Sequence, residues 1–242
     1  YLAQYPKGEK APKATFYLAE SLRETGRLES AADQYLKVMK SKDPSCRLEA
    51  TAAYAKLNYD LQHYQKAADA YGEMADLATS PETKLEAYTG LMRSCFAGRE
   101  FQEAIRYAGL VGGREADFIQ ARSWRTLGER DKAHALFERL AADCNDEIGA
   151  ESAYTLVLDA YDRGDLSAVE ERVYAFSDAG TSQVYWLAKS FIVLGDAFAD
   201  RGDVEQAEAT YNSILDGYEP AREGDDVLDQ VQRRLEQLKR VK

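Results

Sequence analysis

The chain is poor in the residues on which most site chemistry depends. It holds two histidines and three cysteines in 242 residues. His63 and His134 have no cysteine or carboxylate at ligand spacing, so neither belongs to a zinc motif, and both are expected at the surface. Cys46, Cys95 and Cys144 are odd in number, which excludes complete internal pairing. Cys95 falls on an apolar helical face and should be buried, whereas Cys46 and Cys144 lie near helix boundaries where either can reach solvent. Positive charge is scarce too: 31 Lys and Arg stand against 42 Asp and Glu, a formal net charge of −11. That balance argues against a nucleic-acid partner and against adhesion to an anionic membrane. No apolar run is long enough to cross a bilayer, so direct membrane insertion is not expected. Residues 1–8 have neither an initiator Met nor the apolar core of a signal peptide, and the expectation is of a segment cut from a longer chain.

Motifs for catalysis are equally thin. Gly109, Gly112 and Gly113 follow no strand and precede no Lys-Ser or Lys-Thr, so they make no phosphate loop. Glu170-Glu171 and Asp225-Asp226 read as helix-surface acids with no partner across a cleft for acid–base work. The sequence therefore gives no catalytic, cofactor-binding or metal-binding residue; it reads as a non-enzyme without a cofactor.

What the chain does have is a recurrent phrase. Gly26-Arg27-Leu28-Glu29-Ser30-Ala31, followed by Tyr35, returns as Gly202-Asp203-Val204-Glu205-Gln206-Ala207, followed by Tyr211. The small residue of that phrase recurs at Ala31, Ala67, Ala104, Ala133, Val169 and Ala207, at intervals of 36, 37, 29, 36 and 38. Four residues on stand Tyr35, Tyr71, Ala108, Phe137, Val173 and Tyr211, and three further Val38, Met74, Val111, Leu140, Phe176 and Ile214. Offsets of three and four keep these side chains on one helical face. Units this short cannot each bury a core, so they must stack.

The periodicity predicts helix pairs at 11–25 with 28–41, 47–61 with 64–78, 82–97 with 101–110, 114–127 with 130–143, 147–163 with 166–178, and 184–201 with 204–218. Gly26, Gly128, Gly164 and Gly202 supply left-handed turns between paired helices; Gly98 does so one residue early in the third pair, and the second has Leu61-Gln62-His63 instead. The interval of 29 leaves too little chain around Gly112-Gly113 for two full helices and a normal loop, so one helix there must be short. A last helix carries Val227, Leu228, Val231, Leu235 and Leu238 as a stripe, with Asp225 and Asp226 before it and Lys239, Arg240 and Lys242 at its end, a favourable polarity. It reads either as an end cap or as the first helix of a further pair.

Leu18, Ala19, Leu22, Gly26, Leu28, Ala31 and Tyr35 in the first copy, and Leu194, Gly195, Phe198, Gly202, Val204, Ala207 and Tyr211 in the sixth, resemble the tetratricopeptide repeat family. Val38 and Ile214 depart from it, standing where the family has Ala. The resemblance covers about residues 1–220 and is strongest in copies one, two and six. It implies an all-α fold, an antiparallel helix-pair solenoid wound as a right-handed superhelix. Residues 1–10 would end a preceding repeat, 11–111 form repeats one to three, 112–220 form repeats four to six with a bend near 112–117, and 221–242 form a C-terminal capping helix. The wording around Tyr5-Pro6 and Ala11-Pro12-Lys13-Ala14 is similar to repeats of bacterial cell-envelope proteins and of Bacteroides-type multi-repeat proteins, which implies a periplasmic or outer-membrane-associated placement.

In this family the groove is lined by the first helix of each pair. Carried over by register, the protein-binding candidates are Phe16, Arg23, Tyr59, Arg93, Phe96, Phe118, Arg122, Tyr154 and Tyr161. Stacking does not require aromatics at these places, and aromatics interleaved with Arg make good anchors for a peptide or helix. The competing expectation is that several of them are covered within the fold. The two resulting functions are a non-catalytic scaffold that binds a protein or peptide, and a passive spacer within a larger cell-envelope protein.

Overall fold

The computed structural model describes residues 1–41, 44, 46–220 and 222–241, the last by its backbone only. Lys42 and Asp43 of the first linker, and Lys242 at the favourable helix end, lie outside the described residues. Among the described residues the chain forms helices and no strand: α1 (Ala11–Glu24), α2 (Leu28–Met39), α3 (Arg47–Asp60), α4 (Tyr64–Leu77), α5 (Pro81–Ala97), α6 (Phe101–Val111), α7 (Gly113–Thr126), α8 (Arg130–Ala141), α9 (Glu147–Asp162), α10 (Leu166–Asp178), α11 (Val184–Asp200), α12 (Val204–Gly217) and α13 (Val227–Val241). Within helices proline occupies first turns, at Pro12 and Pro81, where its missing N–H costs nothing. The helix termini follow the apolar period to within about two residues. Asp146, Asp165 and Asp203 cap α9, α10 and α12 by accepting backbone N–H groups of Gly149, Ala168 and Gln206.

The repeated small residue is where helices cross. Ala31, Ala67, Ala104, Val169 and Ala207 are 0% exposed and Ala133 1%, so a larger side chain there has no solvent to escape into. Tyr35, Phe137, Val173 and Tyr211, one turn later, are also fully buried.

The turns inside the pairs close alike. The N–H of Arg27 donates to the carbonyl of Leu22 and that of Gly26 to Arg23, the double closure of a Schellman end. The same pairs of bonds recur at His63 and Gln62, Glu100 and Arg99, Asp165 and Gly164, and Asp203 and Gly202. The residue in the left-handed region is Gly in three of these turns, Gln62 (φ 60°) in the second pair and Arg99 (φ 64°) in the third. The expectation that Gly98 makes the third turn is therefore corrected. Gly98 has φ −76°, and its lack of a side chain serves close packing instead: a Cβ there would lie 3.1 Å from the carbonyl of Ser94 and 3.4 Å from the Cβ of Tyr64.

The chain divides into two compact units, Tyr1–Gly128 and Glu129–Lys242. In the first, α1 pairs with α2, α3 with α4 and α5 with α6, each pair packs on the next, and α7 follows α6. First helices also touch: α3 meets α5, and α5 meets α7. The short interval resolves into an eleven-residue α6 joined to α7 through Gly112 alone, at φ 68°. Segment 112–117 lies inside this unit. In the second unit α8 packs on α9, α9 on α10 and α11, and α11 on α12. Helix α13 lies on α12 and α11, burying Val227, Val231 and Leu238.

Cys95 is buried as expected, and burial pushes its thiol up to about 11. Cys144 is buried as well, among Ala150 and Phe176, whereas Cys46 is half-buried. Neither histidine is a simple surface residue. Both are half-buried, the Nδ1 of each is enclosed without a hydrogen-bond partner among the described residues, and His134 Nε2 lies 3.3 Å from Glu138.

Candidate functional site

The first unit gathers five of the nine candidate residues on three successive first helices. On α5, Glu86, Thr89, Arg93 and Phe96 follow one another at spacings of three and four and share a face. Tyr59 on α3 and Arg93 on α5 line one cavity of about 430 Å³ together with Lys56, Asp60, Tyr71, Glu86, Thr89 and Gly90. The Tyr71 ring comes from α4 and lies flat against α5, which Gly90 permits: a Cβ at position 90 would stand 2.4 Å from that ring. Arg93 is engaged. Its Nε and Nη2 donate to the two carboxylate oxygens of Glu115 on α7, at 2.7 and 2.6 Å. That bond holds Glu115 below the usual carboxylate range.

Beside the pair, the Arg122 guanidinium lies 5.3 Å from the Phe96 ring centre and 5.5 Å from that of Phe118. Phe96 also meets Phe101 edge-on at 6.0 Å, and Tyr59 meets Tyr64 at 5.6 Å. The floor of this face is thus aromatic and the charges stand along it. Burial, then the Asp60 and Glu86 carboxylates, push the Tyr71 hydroxyl up against the opposing influence of Arg93.

The other candidates are placed differently. Phe16 on α1 packs on the core against Tyr35, 5.9 Å between rings, and is half-buried. Arg23 is exposed and pairs with Glu20, whose carboxylate also accepts the Tyr35 hydroxyl. In the second unit Tyr154 stacks on Trp186 at 5.4 Å. Trp186 is itself flanked by Tyr185, and the Arg222 guanidinium lies 3.5 Å from the Tyr185 ring centre while bonding Glu147 at 2.8 Å. The Tyr161 hydroxyl donates to Asp200 at 2.5 Å. Next to it Arg234 of α13 forks onto Asp196 of α11 at 2.6 and 2.8 Å, and Asp196 accepts the Tyr211 hydroxyl at 2.5 Å.

Sequence reasoning missed Tyr71, Glu115, Trp186, Arg222 and Arg234. Tyr71 carries the stacking period, so its second role, as a cavity wall, has no separate signature. Glu115 follows Gly112-Gly113, where the shortened interval hides the register. Arg234 lies beside the apolar stripe of α13, and only docking of that helix reveals its partner.

Residues 190–212, from α11 into α12, match the tetratricopeptide repeat family profile. The chain has the tetratricopeptide-repeat fold. Its similarity to solved tetratricopeptide-type structures extends along nearly its whole length. A tetratricopeptide repeat protein from Parabacteroides merdae ATCC 43184 aligns over 96% of this chain and 87% of its own, with a TM-score of 0.51 and 14% identity. PilW, described as a widely conserved type IV pilus biogenesis factor, aligns over 94% and 100%, with a TM-score of 0.54 and 14% identity. A chain of the Naa15/Naa10 complex bound to HypK-THB aligns over 97% of this chain but 35% of its own, with a TM-score of 0.53 and 14% identity. No curated protein sequence matches this chain. At such identities the likeness is one of tetratricopeptide fold.

Proposed function

We propose that the protein is a non-catalytic scaffold that binds a peptide or helix of another protein along the first-helix face of its first unit. The observation that carries this reading is the joining of α3, α5 and α7 by one run of aromatic and cationic side chains. Tyr59 and Arg93 share a cavity, Arg93 bonds Glu115, and Arg122 bridges Phe96 and Phe118. Aromatic and Arg anchors of this kind dominate binding energy when a partner desolvates them. The same fold in a Naa15/Naa10 chain, in a structure bound to HypK-THB, supports a role in assembly.

The test is capture of partners from the source organism with the intact protein and with a Tyr59→Ala/Phe96→Ala variant whose helicity is unchanged. Loss of specific partners from the variant is expected, and their undiminished retention would overturn the reading.

The second unit favours the passive-spacer reading for its own part. Tyr154 packs on Trp186 and the Tyr161 hydroxyl is committed to Asp200, so both contribute to the packing of α9 on α11. Placement in a bacterial cell envelope is part of the proposal and rests on the wording near the N-terminus; fractionation of source cells, with the protein recovered from the cytosol, would remove it.

A further inference from the structure

The cavity between α3 and α5 is lined by aromatic rings and by charges of both signs. Its walls are two tyrosine rings, Tyr59 from α3 and Tyr71 from α4, the second resting on Gly90 of α5. Two carboxylates flank it from different helices, Asp60 on α3 and Glu86 on α5. Neither forms an ion pair or hydrogen bond with the described residues. Two cations also line the cavity, but they are not equivalent. Arg93 is already matched by the two-pronged bond to Glu115. Lys56 is exposed, so solvent screens its charge. With Arg93 neutralised by Glu115, the remaining groups are two carboxylates and one lysine, so the cavity retains an acidic excess.

We infer that this cavity takes an arginine side chain of the bound peptide, its guanidinium stacked between the rings of Tyr59 and Tyr71 and its N–H groups donating to Asp60 and Glu86. A planar guanidinium offers both a face for the rings and a fork for carboxylates on opposite sides, which an ammonium does not. A cavity of about 430 Å³ has room for such a side chain. The net charge of −11 speeds the approach of a basic partner. The inference rests on the peptide-binding reading of this face and narrows it to one chemistry.

The test uses three small probes, the N-acetyl N-methylamides of arginine, norleucine and glutamate, titrated into the isotope-labelled protein. The amides of Thr89 and Gly90 and the ring signals of Tyr59 and Tyr71 report on the cavity. The arginine compound should shift them saturably, and bind about tenfold more tightly than the norleucine compound. Asp60→Asn with Glu86→Gln should abolish that preference, whereas Lys56→Gln, which removes a competing cation, should strengthen it. Preference for norleucine or glutamate would overturn the arginine assignment while leaving the peptide-binding face intact. Absence of any shift with all three probes, or arginine binding unchanged in the charge-neutral double variant, also overturns it, and the fate of the broader reading then lies with the Tyr59→Ala/Phe96→Ala capture.

Discussion

At the scale of the residue, the left-handed turn positions separate what a pattern requires from what a chain tolerates. Gly26, Gly164 and Gly202 satisfy the turn without strain, but Gln62 and Arg99 adopt the same positive φ with a Cβ in place. A non-glycine residue there costs about 1 kcal/mol. Arg99→Gly and Gln62→Gly are each expected to raise the unfolding free energy by about 0.5–1 kcal/mol, read as a higher urea midpoint at unchanged slope. Gly195 lies at the opposite extreme. A Cβ there would stand 2.3 Å from Cε1 of Tyr211, a ring whose hydroxyl is anchored on Asp196. Gly195→Ala should therefore destabilise by about 1–3 kcal/mol, and the loss should shrink when Tyr211→Phe releases the anchor.

Between one helix and the next, the recurring device is an ion pair that joins consecutive first helices. Arg93 of α5 bonds Glu115 of α7, and Asp196 of α11 bonds Arg234 of α13. The second pair is the more enclosed, its side chains 29% and 21% exposed, and it shares Asp196 with Tyr211. Removing Arg234 leaves that carboxylate half-buried without its counter-charge. Arg234→Ala should cost about 2 kcal/mol, and a double-mutant cycle with Asp196→Ala should return a coupling of about 1 kcal/mol or more. The first pair is exposed enough that screening limits its worth. Its pH dependence has a definite sign. Glu115 ionises more readily in the folded chain than at its ordinary value of 4.5, so its contribution is complete above that value and is lost as pH falls through the lower folded value. The stability difference between the protein and Glu115→Gln should accordingly vanish in acid, as thermal unfolding at neutral and at strongly acid pH will record.

For the molecule as a whole, the division at Gly128 and Glu129 predicts how it opens. Amide exchange should sort into two cooperative sets, one within each unit, with the boundary in the turn that precedes α8. A single set spanning both units would contradict it. Alkaline pH should weaken both. Burial, then hydrogen bonds to carboxylates, raise the hydroxyls of Tyr35 in the first unit, to about 12, and of Tyr211 in the second. Stability held by these neutral hydroxyls is full below the ordinary value of 10 and falls as pH climbs through the folded values.

The sequence by itself determined the repeating helix pair: its small residues at crossings, its aromatic or branched residue one turn on, and its turn. These are short-range requirements of a helix that must bury one stripe against its neighbour, and successive copies state them redundantly. The predicted pairing of 114–127 with 130–143 is the exception, since α7 belongs to the first unit, where it packs on α6 and α5, and α8 to the second, where it packs on α9. The misassigned Gly98 was an error of one position, because both turn geometry and close packing attract glycine and the pattern cannot tell them apart. Only the tertiary structure decided what each of these aromatics meets. Tyr59 and Tyr154 occupy similar registers and are both half-buried, yet one walls a cavity with Tyr71 and the other packs on Trp186, because their neighbours come from other helices at no fixed separation along the chain. The reach of Arg234 from α13 and the pairing of Arg93 with Glu115 belong to the same class. Each depends on how one helix docks on another, and a period of three or four residues holds no record of that.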